Sequence, residues 1–301
     1  MKDFRQKITF VYAYENEKWS TPMALANEFR RIGWEVEFVS IGSNRTGQYH
    51  DRDIQKWLSE KPNSNIVLFM DWGRFDSPYL NMANLPNTYW IQESGDDPQN
   101  FERNYPKSER FNLTLSPDFE SSKEYRKRNQ DSAWWTHFAD TAVQYPMDIQ
   151  EEYVAVTTRG MGSSEFLDTL TNHSDGEVGN QNGFDAPQHT EFLNKGMMVV
   201  QNSRWGEVTR RIFEGMACGK MVLCDRLHEN KKLHELFIDG EDIVYYDDIV
   251  DCINKMNKYH EDGVERERIA KNGYNKVLEN HTQKQRVEFI IEKYKEWKNF
   301  Q

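Results

Sequence analysis

The sequence predicts an α/β protein made of two doubly wound domains, each built on a parallel sheet. Three observations carry that expectation. Short β-branched and aromatic runs alternate with amphipathic helical stretches. One run, Ile66-Val67-Leu68-Phe69-Met70, is apolar without alternation, as expected of a strand buried on both faces of a parallel sheet. The same rhythm restarts near residue 150, in a chain whose 301 residues suffice for two domains of about 150 each.

In chain order, residues 8–12 form a β-branched and aromatic run that reads as the first strand. Ser20-Thr21-Pro22 then offers an N-cap followed by Pro in the first turn, with Met23, Leu25, Ala26, Phe29 and Ile32 at helical spacing. Gly33 ends that helix, and residues 34–39 alternate as a half-buried strand does. A polar loop (42–50), a short helix (54–58), the strand at 66–70 and two more strands (88–91 and 111–115) follow. A linker at 145–152 separates the halves. Beyond it we expect a strand at 153–157, a Gly/Asn/Asp-rich loop at 173–185, a strand at 197–200, a helix at 207–218, and strands at 221–224 and 243–246. From residue 265 the chain is charged and helical, with Ile269, Tyr274, Val277, Phe289, Ile290, Tyr294 and Trp297 as its apolar stripe.

Composition narrows the function classes. Only 37% of residues are hydrophobic and the mean hydropathy is −0.89, yet aromatics reach 13%, which argues against a disordered chain. With 38 basic and 49 acidic residues the net charge is −11, so stable non-specific nucleic-acid binding is disfavoured. Cys218, Cys224 and Cys252 show neither a CxxC motif nor a Cys/His pairing, against both a disulfide framework and a zinc site. The N-terminus reads as a strand rather than a signal segment, and no window approaches 18 apolar residues. The expectation is a soluble, cytoplasmic protein with no membrane span. The Asn-, Lys- and Trp-rich composition resembles that of some phage proteins, which would place it in a host cytoplasm.

The segment from Arg204 to Gly219 is the most informative. On one helix Glu207, Arg211, Glu214 and Cys218 fall at i, i+4, i+7 and i+11, a polar face, while Val208, Ile212 and Gly215 face the packing side. A helix N-terminus preceded by Gly206 suits an anion, because its unpaired N–H groups and dipole favour phosphate. Arg210 or Arg211 could add a charge-assisted contact. A carboxylate two turns in could accept hydrogen bonds from vicinal hydroxyls. The plainer reading makes Glu207 and Arg211 a surface pair worth about 0.3 kcal/mol.

The stretch from Arg211 to Cys224 (Arg-Ile-Phe-Glu-Gly-Met-Ala-Cys-Gly-Lys-Met-Val-Leu-Cys), with Glu235-Leu-Phe-Ile-Asp-Gly-Glu-Asp-Ile-Val and the closing Arg268-Ile-Ala-Lys-Asn-Gly-Tyr, resembles the donor-binding block of group 1 glycosyltransferases. It is most similar to their CgeB-like spore-maturation branch. The resemblance covers about 188–290. It implies the GT-B fold: two Rossmann-like domains facing across a cleft, here 1–148 on the acceptor side and 149–283 on the donor side. A C-terminal helix, 284–301, would cross back to the first domain. It implies a retaining, metal-independent transfer from a nucleotide-diphosphate sugar, with no cofactor. In the family's E-x7-E pattern the last Glu, here Glu214, binds the donor ribose. The first position falls on Gly206, with Glu207 one step off. Arg159, Lys195, Arg204, Arg210 and Arg211 are the candidates for the diphosphate. Asp51-Arg52-Asp53 matches the Asp-x-Asp of metal-dependent transferases but opens a helix, where acidic residues serve as caps.

The acceptor should meet loops that follow strands of the first domain. Candidates are Glu93-Ser-Gly-Asp-Asp97, which otherwise reads as a turn with a helix cap, and the loop 14–19. His137 near the interdomain crossing is a candidate acid/base or phosphate contact; Glu15, Asp71 and Asp118 are weaker ones. The acceptor itself, whether saccharide, protein, small molecule or modified nucleobase, is left open. Two alternatives stand beside the enzyme reading. One is a GT-B protein that binds a nucleotide sugar, or joins a particle or coat, without turnover. The other is a phage-type transferase acting on modified DNA bases, for which Arg126-Lys127-Arg128 is the only dense basic cluster in the first domain.

Overall fold

A computed structural model describes residues 6–12, 20–40, 54–60, 63–70, 87–128, 130–157, 164–180 and 185–300. The chain divides into two compact units, residues 1–136 with 284–301, and residues 137–283. The division falls upstream of the 148 expected from sequence because residues 139–147 are bonded into the second unit. Ala139 N donates to His281 O at 3.0 Å, Met147 N to Asn194 Oδ1 at 2.8 Å, and Asn194 Nδ2 to Tyr145 O at 3.1 Å.

The first unit holds β1 (Lys7–Tyr12), α1 (Thr21–Arg31), β2 (Glu35–Ser40), α2 (Ile54–Ser59), β3 (Ile66–Phe69), β4 (Tyr89–Glu93), α3 (Phe101–Ser108), β5 (Leu113–Ser116), α4 (Phe119–Lys127) and β6 (Ser132–Trp134). Its strands run parallel in the order β2-β1-β3-β4-β5-β6. All four residues of β3 are buried, as the unalternating apolar run predicts. The three-residue β6 escapes the sequence reading, because Ser-Ala-Trp carries no strand pattern.

The second unit holds β7 (Tyr153–Thr157), α5 (Ser164–His173), β8 (Val178–Asn180), α6 (Ala186–Asn194), β9 (Gly196–Gln201), α7 (Arg210–Ala217), β10 (Met221–Asp225), α8 (Leu233–Leu236), β11 (Val244–Tyr246), α9 (Ile249–Glu261) and α10 (Gly263–Asn280). Its parallel order is β11-β10-β9-β7-β8. Successive strand residues serve opposite faces. Val156, Val199, Val222 and Cys224 meet Phe192 of α6 and Ile212, Phe213 and Met216 of α7. Ala155, Met198, Val200 and Leu223 meet Leu170 of α5 and Cys252, Met256 and Tyr259 of α9. The predicted 173–185 loop contains β8, whose Gly179 leaves room for the Tyr153 ring beside it.

The charged tail forms two helices. α10 ends at Asn280, and α11 (Gln283–Asn299) starts after His281, whose ring is buried 5.3 Å from Phe213 and 5.4 Å from Phe237. Most of α11 belongs to the first unit, where Trp297 lies 5.1 Å from Tyr89 and the Tyr294 hydroxyl accepts from Asn65 Nδ2 at 3.2 Å. No helix among the described residues is long and apolar enough to cross a membrane.

The seating of α10 is testable at Gly273, where an added Cβ would lie 2.5 Å from the Asp242 carbonyl oxygen. Ala is favoured over Gly by about 1 kcal/mol in a helix interior. Overpacking typically costs about 1–3 kcal/mol. Gly273→Ala should therefore lower the urea midpoint, and a raised midpoint would show that α10 does not sit against this carbonyl.

Candidate functional site

In the second unit β7 lies between β8 and β9, so the connections leaving β7 and β9 diverge to opposite faces of the sheet. A crevice at such a switch point, outside the carboxyl ends of the strands, is where open α/β sheets hold ligands. The loop after β7 contains Arg159 and lies outside the described residues. The loop after β9, residues 202–209, is described and leads into α7.

That loop is pinned by its neighbours. Asp225, ending β10, accepts from Ser203 N at 2.9 Å and Ser203 Oγ at 3.0 Å. Ser203 Oγ lies 3.0 Å from Glu207 O. Gly206 takes φ +64°, a conformation that disfavours a Cβ. Glu207 is thus not on the helix, as the sequence spacing suggested: its carboxylate accepts from Trp205 N at 2.7 Å and closes the loop on itself. Arg204 stacks on the exposed Trp205 ring at 4.3 Å. The predicted four-residue polar face fails at its other end too, because Cys218 is buried in the core.

The N-cap of α7 is Thr209, not Gly206. Thr209 is nine-tenths buried, yet its hydroxyl neither caps the helix nor finds another partner among the described residues. The first backbone N–H groups of any helix lack intrahelical acceptors. An unsatisfied buried hydroxyl beside them describes a site that an anion would complete.

One turn further, Glu214 is buried with its Oε1 2.7 Å from Arg210 Nε. Its Oε2 lies 3.7 Å from His189 Nδ1, beyond a normal hydrogen bond. Burial opposes ionisation of Glu214, but the field of Arg210, His189, Arg211 and His137 outweighs it and holds the carboxyl below its usual range. His189 itself is pushed down by burial, and by Arg211 and Arg210, against the pull of Glu214. At neutral pH Glu214 is therefore ionised on its arginines while His189 is uncharged. Asp140 sits in the field of Arg210 as well, its carboxyl raised by burial although Ala142 N donates to it.

The structure thus gathers Arg210, Arg211, Glu214 and His137, and adds His189 and Asp140, which sequence reasoning did not single out. His189 lies on α6, a helix legible only from its Asp185 capping box and Pro187; nothing local marks it as facing Glu214. Lys195 is not brought to this place. It caps α6 at the opposite edge of the sheet, bridged to Glu152 at 3.3 Å and Glu191 at 3.6 Å, the length of β9 (roughly 3.3 Å per residue) from the loop.

In the first unit Asp97 is buried rather than capping α3, whose N-cap is Asn100. Its carboxylate accepts from Ser94 Oγ at 2.6 Å, Ser116 Oγ at 2.9 Å and Asn104 Nδ2 at 3.0 Å, tying together the loops after β4 and β5. Burial pushes its pKa up to about 6 despite these donors. Asp118 is the N-cap of α4, accepting from Ser121 N at 2.9 Å. In the basic cluster Lys127 and Arg128 are paired with Glu124, and Arg128 with Glu102, while Arg126 donates to Ser132 O. The loop 14–19 with Glu15, the Asp51-Arg52-Asp53 triplet and Asp71 lie outside the described residues.

Two outcomes follow from these environments. Removing the Glu214 carboxylate takes away a buried ionised acceptor that lies 2.7 Å from Arg210 Nε. Glu214→Ala should cost about 2 kcal/mol of stability in urea unfolding, and unchanged stability would mean that the pair is open to water. Asp97 works in the opposite sense. Its folded pKa lies above the ordinary 3.8, so its contribution to stability is present at low pH and is lost as pH rises from about 4 to about 6. Between pH 4.5 and 7.5 the wild type should lose about 2 kcal/mol relative to Asp97→Asn; parallel pH profiles of the two would show a normally ionising carboxyl.

The fold has counterparts among known proteins. Residues 162–292 match the model of the family described as Glycosyl transferase-like. No curated protein matches the chain significantly. Among solved structures the chain is similar to sucrose-phosphate synthase from Thermosynechococcus elongatus, at 11% identity and TM-score 0.69 over 99% of this chain and 100% of that one. It is similar to Anabaena HepE in complex with UDP-glucose, at 11% identity and TM-score 0.64 over 96% and 100%. T4 phage BGT in complex with its UDP-glucose substrate matches at 12% identity and TM-score 0.58 over 96% and 99%. The CgeB-like branch is not among these findings. The family match is confined to residues 162–292, and the chain as a whole shares the two-sheet α/β GT-B fold of these solved structures.

Proposed function

We propose that the protein moves a sugar from a nucleoside-diphosphate sugar to an acceptor hydroxyl, with retention of anomeric configuration and without a metal ion. One observation carries the reading. The N-terminus of α7, whose N-cap Thr209 has a buried hydroxyl without a partner among the described residues, lies at the carboxyl edge of the sheet, begins with Arg210 and Arg211 and is followed one turn later by Glu214. The helix N–H groups and Arg211 would take the diphosphate, whose negative charge grows as the glycosidic bond breaks and the sugar becomes oxocarbenium-like. Donors already fixed in place stabilise such charge without reorganising, usually the largest catalytic effect. Glu214, held ionised by Arg210 and with Oε2 3.7 Å from His189 Nδ1, would accept from the ribose hydroxyls. Retention and metal independence rest on the resemblance to group 1 transferases. UDP-glucose is the first donor to test, since the solved structures of HepE and BGT contain it.

A second reading, donor binding without turnover, draws support from Glu207. That carboxylate is spent on Trp205 N in the loop rather than standing on α7, where the family pattern places a sugar contact. Release of free nucleoside diphosphate separates the two readings. Purified protein with a panel of UDP-, GDP-, ADP-, CDP- and dTDP-sugars should be stabilised by one donor and release its diphosphate slowly, at the same rate in EDTA. Glu214→Gln should weaken that donor about tenfold or more, and Arg211→Ala should slow release as well as weaken binding. Stabilisation without release, with a range of saccharide acceptors present, would favour the second reading. No response to any donor would remove both.

A further inference from the structure

The first unit carries a cavity of about 490 Å³ that the transfer reading does not use. Its lining includes Tyr89, Asn112, Leu113 and Ser132, at or beside the first residues of β4, β5 and β6. The cavity therefore opens at the amino edge of the sheet, opposite the loops after β4 and β5 that Asp97 ties together. All its lining residues belong to the first unit.

The chemistry of the walls is of two kinds. Trp134, Trp297 and Tyr89 contribute aromatic surface. Trp134 Nε1 already donates to Pro117 O at 3.2 Å, so what that side chain offers to the cavity is apolar. Trp297 is half-buried, its ring 5.1 Å from Tyr89. The same walls carry Arg126 and Lys293, and the carboxylates Asp131 and Glu296. Lys293 is held 2.8 Å from Glu296, and Arg126 is steadied by Ser132 O at 2.9 Å. Tyr89 is almost fully buried, and burial together with Asp131 and Glu296 keeps its phenol protonated.

Two cations balanced by two carboxylates leave no net charge to attract an anion, and the protein's −11 opposes one further. A purely apolar guest would desolvate four charged groups for no return. A pyranose ring meets both demands. Its C–H faces lie on aromatic rings, and its hydroxyls donate to carboxylates and accept from guanidinium or ammonium groups in charge-assisted bonds. The volume is in the range of small-molecule sites. We infer that this cavity is a binding site for a neutral saccharide, separate from the donor site on the second unit. The inference does not depend on the transfer reading, because the cavity could hold a saccharide whether or not the second unit turns a donor over.

The probes are maltotriose, cellotriose and triacetylchitotriose, each titrated without nucleotide against the full chain. Tryptophan fluorescence and saturation-transfer NMR are the readouts. At least one trisaccharide should bind with Kd below about 10 mM. Its affinity should fall at least fivefold in Trp297→Ala and in Asp131→Asn. Asp131 and Glu296 are exposed, so Asp131→Asn and Glu296→Gln keep the test intact if Trp297→Ala fails to fold. Absence of binding by all three overturns the inference. So does binding that these variants leave unchanged, which would place the sugar elsewhere. Displacement of the bound sugar by UMP or AMP, lost in the same variants, would make this a site for planar nucleobases and overturn it too.

Discussion

The close approach of α7 to its sheet is the contact on which the second unit's site depends. An added Cβ at Gly215 would lie 3.1 Å from Val222 and 3.2 Å from Val199, tighter than most real side-chain contacts. The helix backbone therefore rests directly on the Val222 and Val199 side chains of the strands. Ile212, Phe213 and Met216 are then fully buried, and Glu214 is carried inward with them. The same seating fixes where the helix begins. Since α7 cannot slide, the chain leaving β9 must reach Thr209 through a tight loop. The left-handed Gly206 and the Ser203–Asp225 bonds set its path.

Burial explains the electrostatics that follow. A carboxylate on a solvated helix face would pair loosely with an arginine one turn away. On α7 burial opposes the Glu214 charge, but the field of Arg210 and its neighbours outweighs it, while burial pushes the His189 pKa down. An ionised acceptor, two arginines and an unsatisfied N-cap hydroxyl are thereby collected within about two turns of one helix. The first unit handles its buried carboxyl differently. Asp97 is met by the neutral donors Ser94, Ser116 and Asn104, and burial prevails over them, so its pKa rises.

Much of this was legible along the chain. The strand–helix alternation, the apolar run that became β3 and the apolar stripe of the tail are local patterns, and local patterns survive folding. The helical position of Glu214 was legible too, since it lies on α7 however the loop before it is drawn. The short strands β6 and β8 were not legible, because three residues held mainly by neighbours' hydrogen bonds need no hydrophobic period. Helix α9 was missed for a different reason. Its Asp248 cap and buried Cys252, Met256 and Tyr259 do form a face, but the surrounding lysines and asparagines dilute it.

What the sequence determined by itself was the class of the fold, because burial on both sides of a parallel sheet dictates the composition of each strand. It also placed α1 after β1 and α7 after β9. Tertiary structure alone decided three things: that Glu207 leaves the helix, that Lys195 lies at the far edge of the sheet, and that His189 arrives beside Glu214. Each turns on a contact between residues distant in the chain or on a helix start set by packing. Spacing along a sequence reports such contacts only after the helix boundary is known, and here the boundary was set by how closely Gly215 lets α7 approach the sheet.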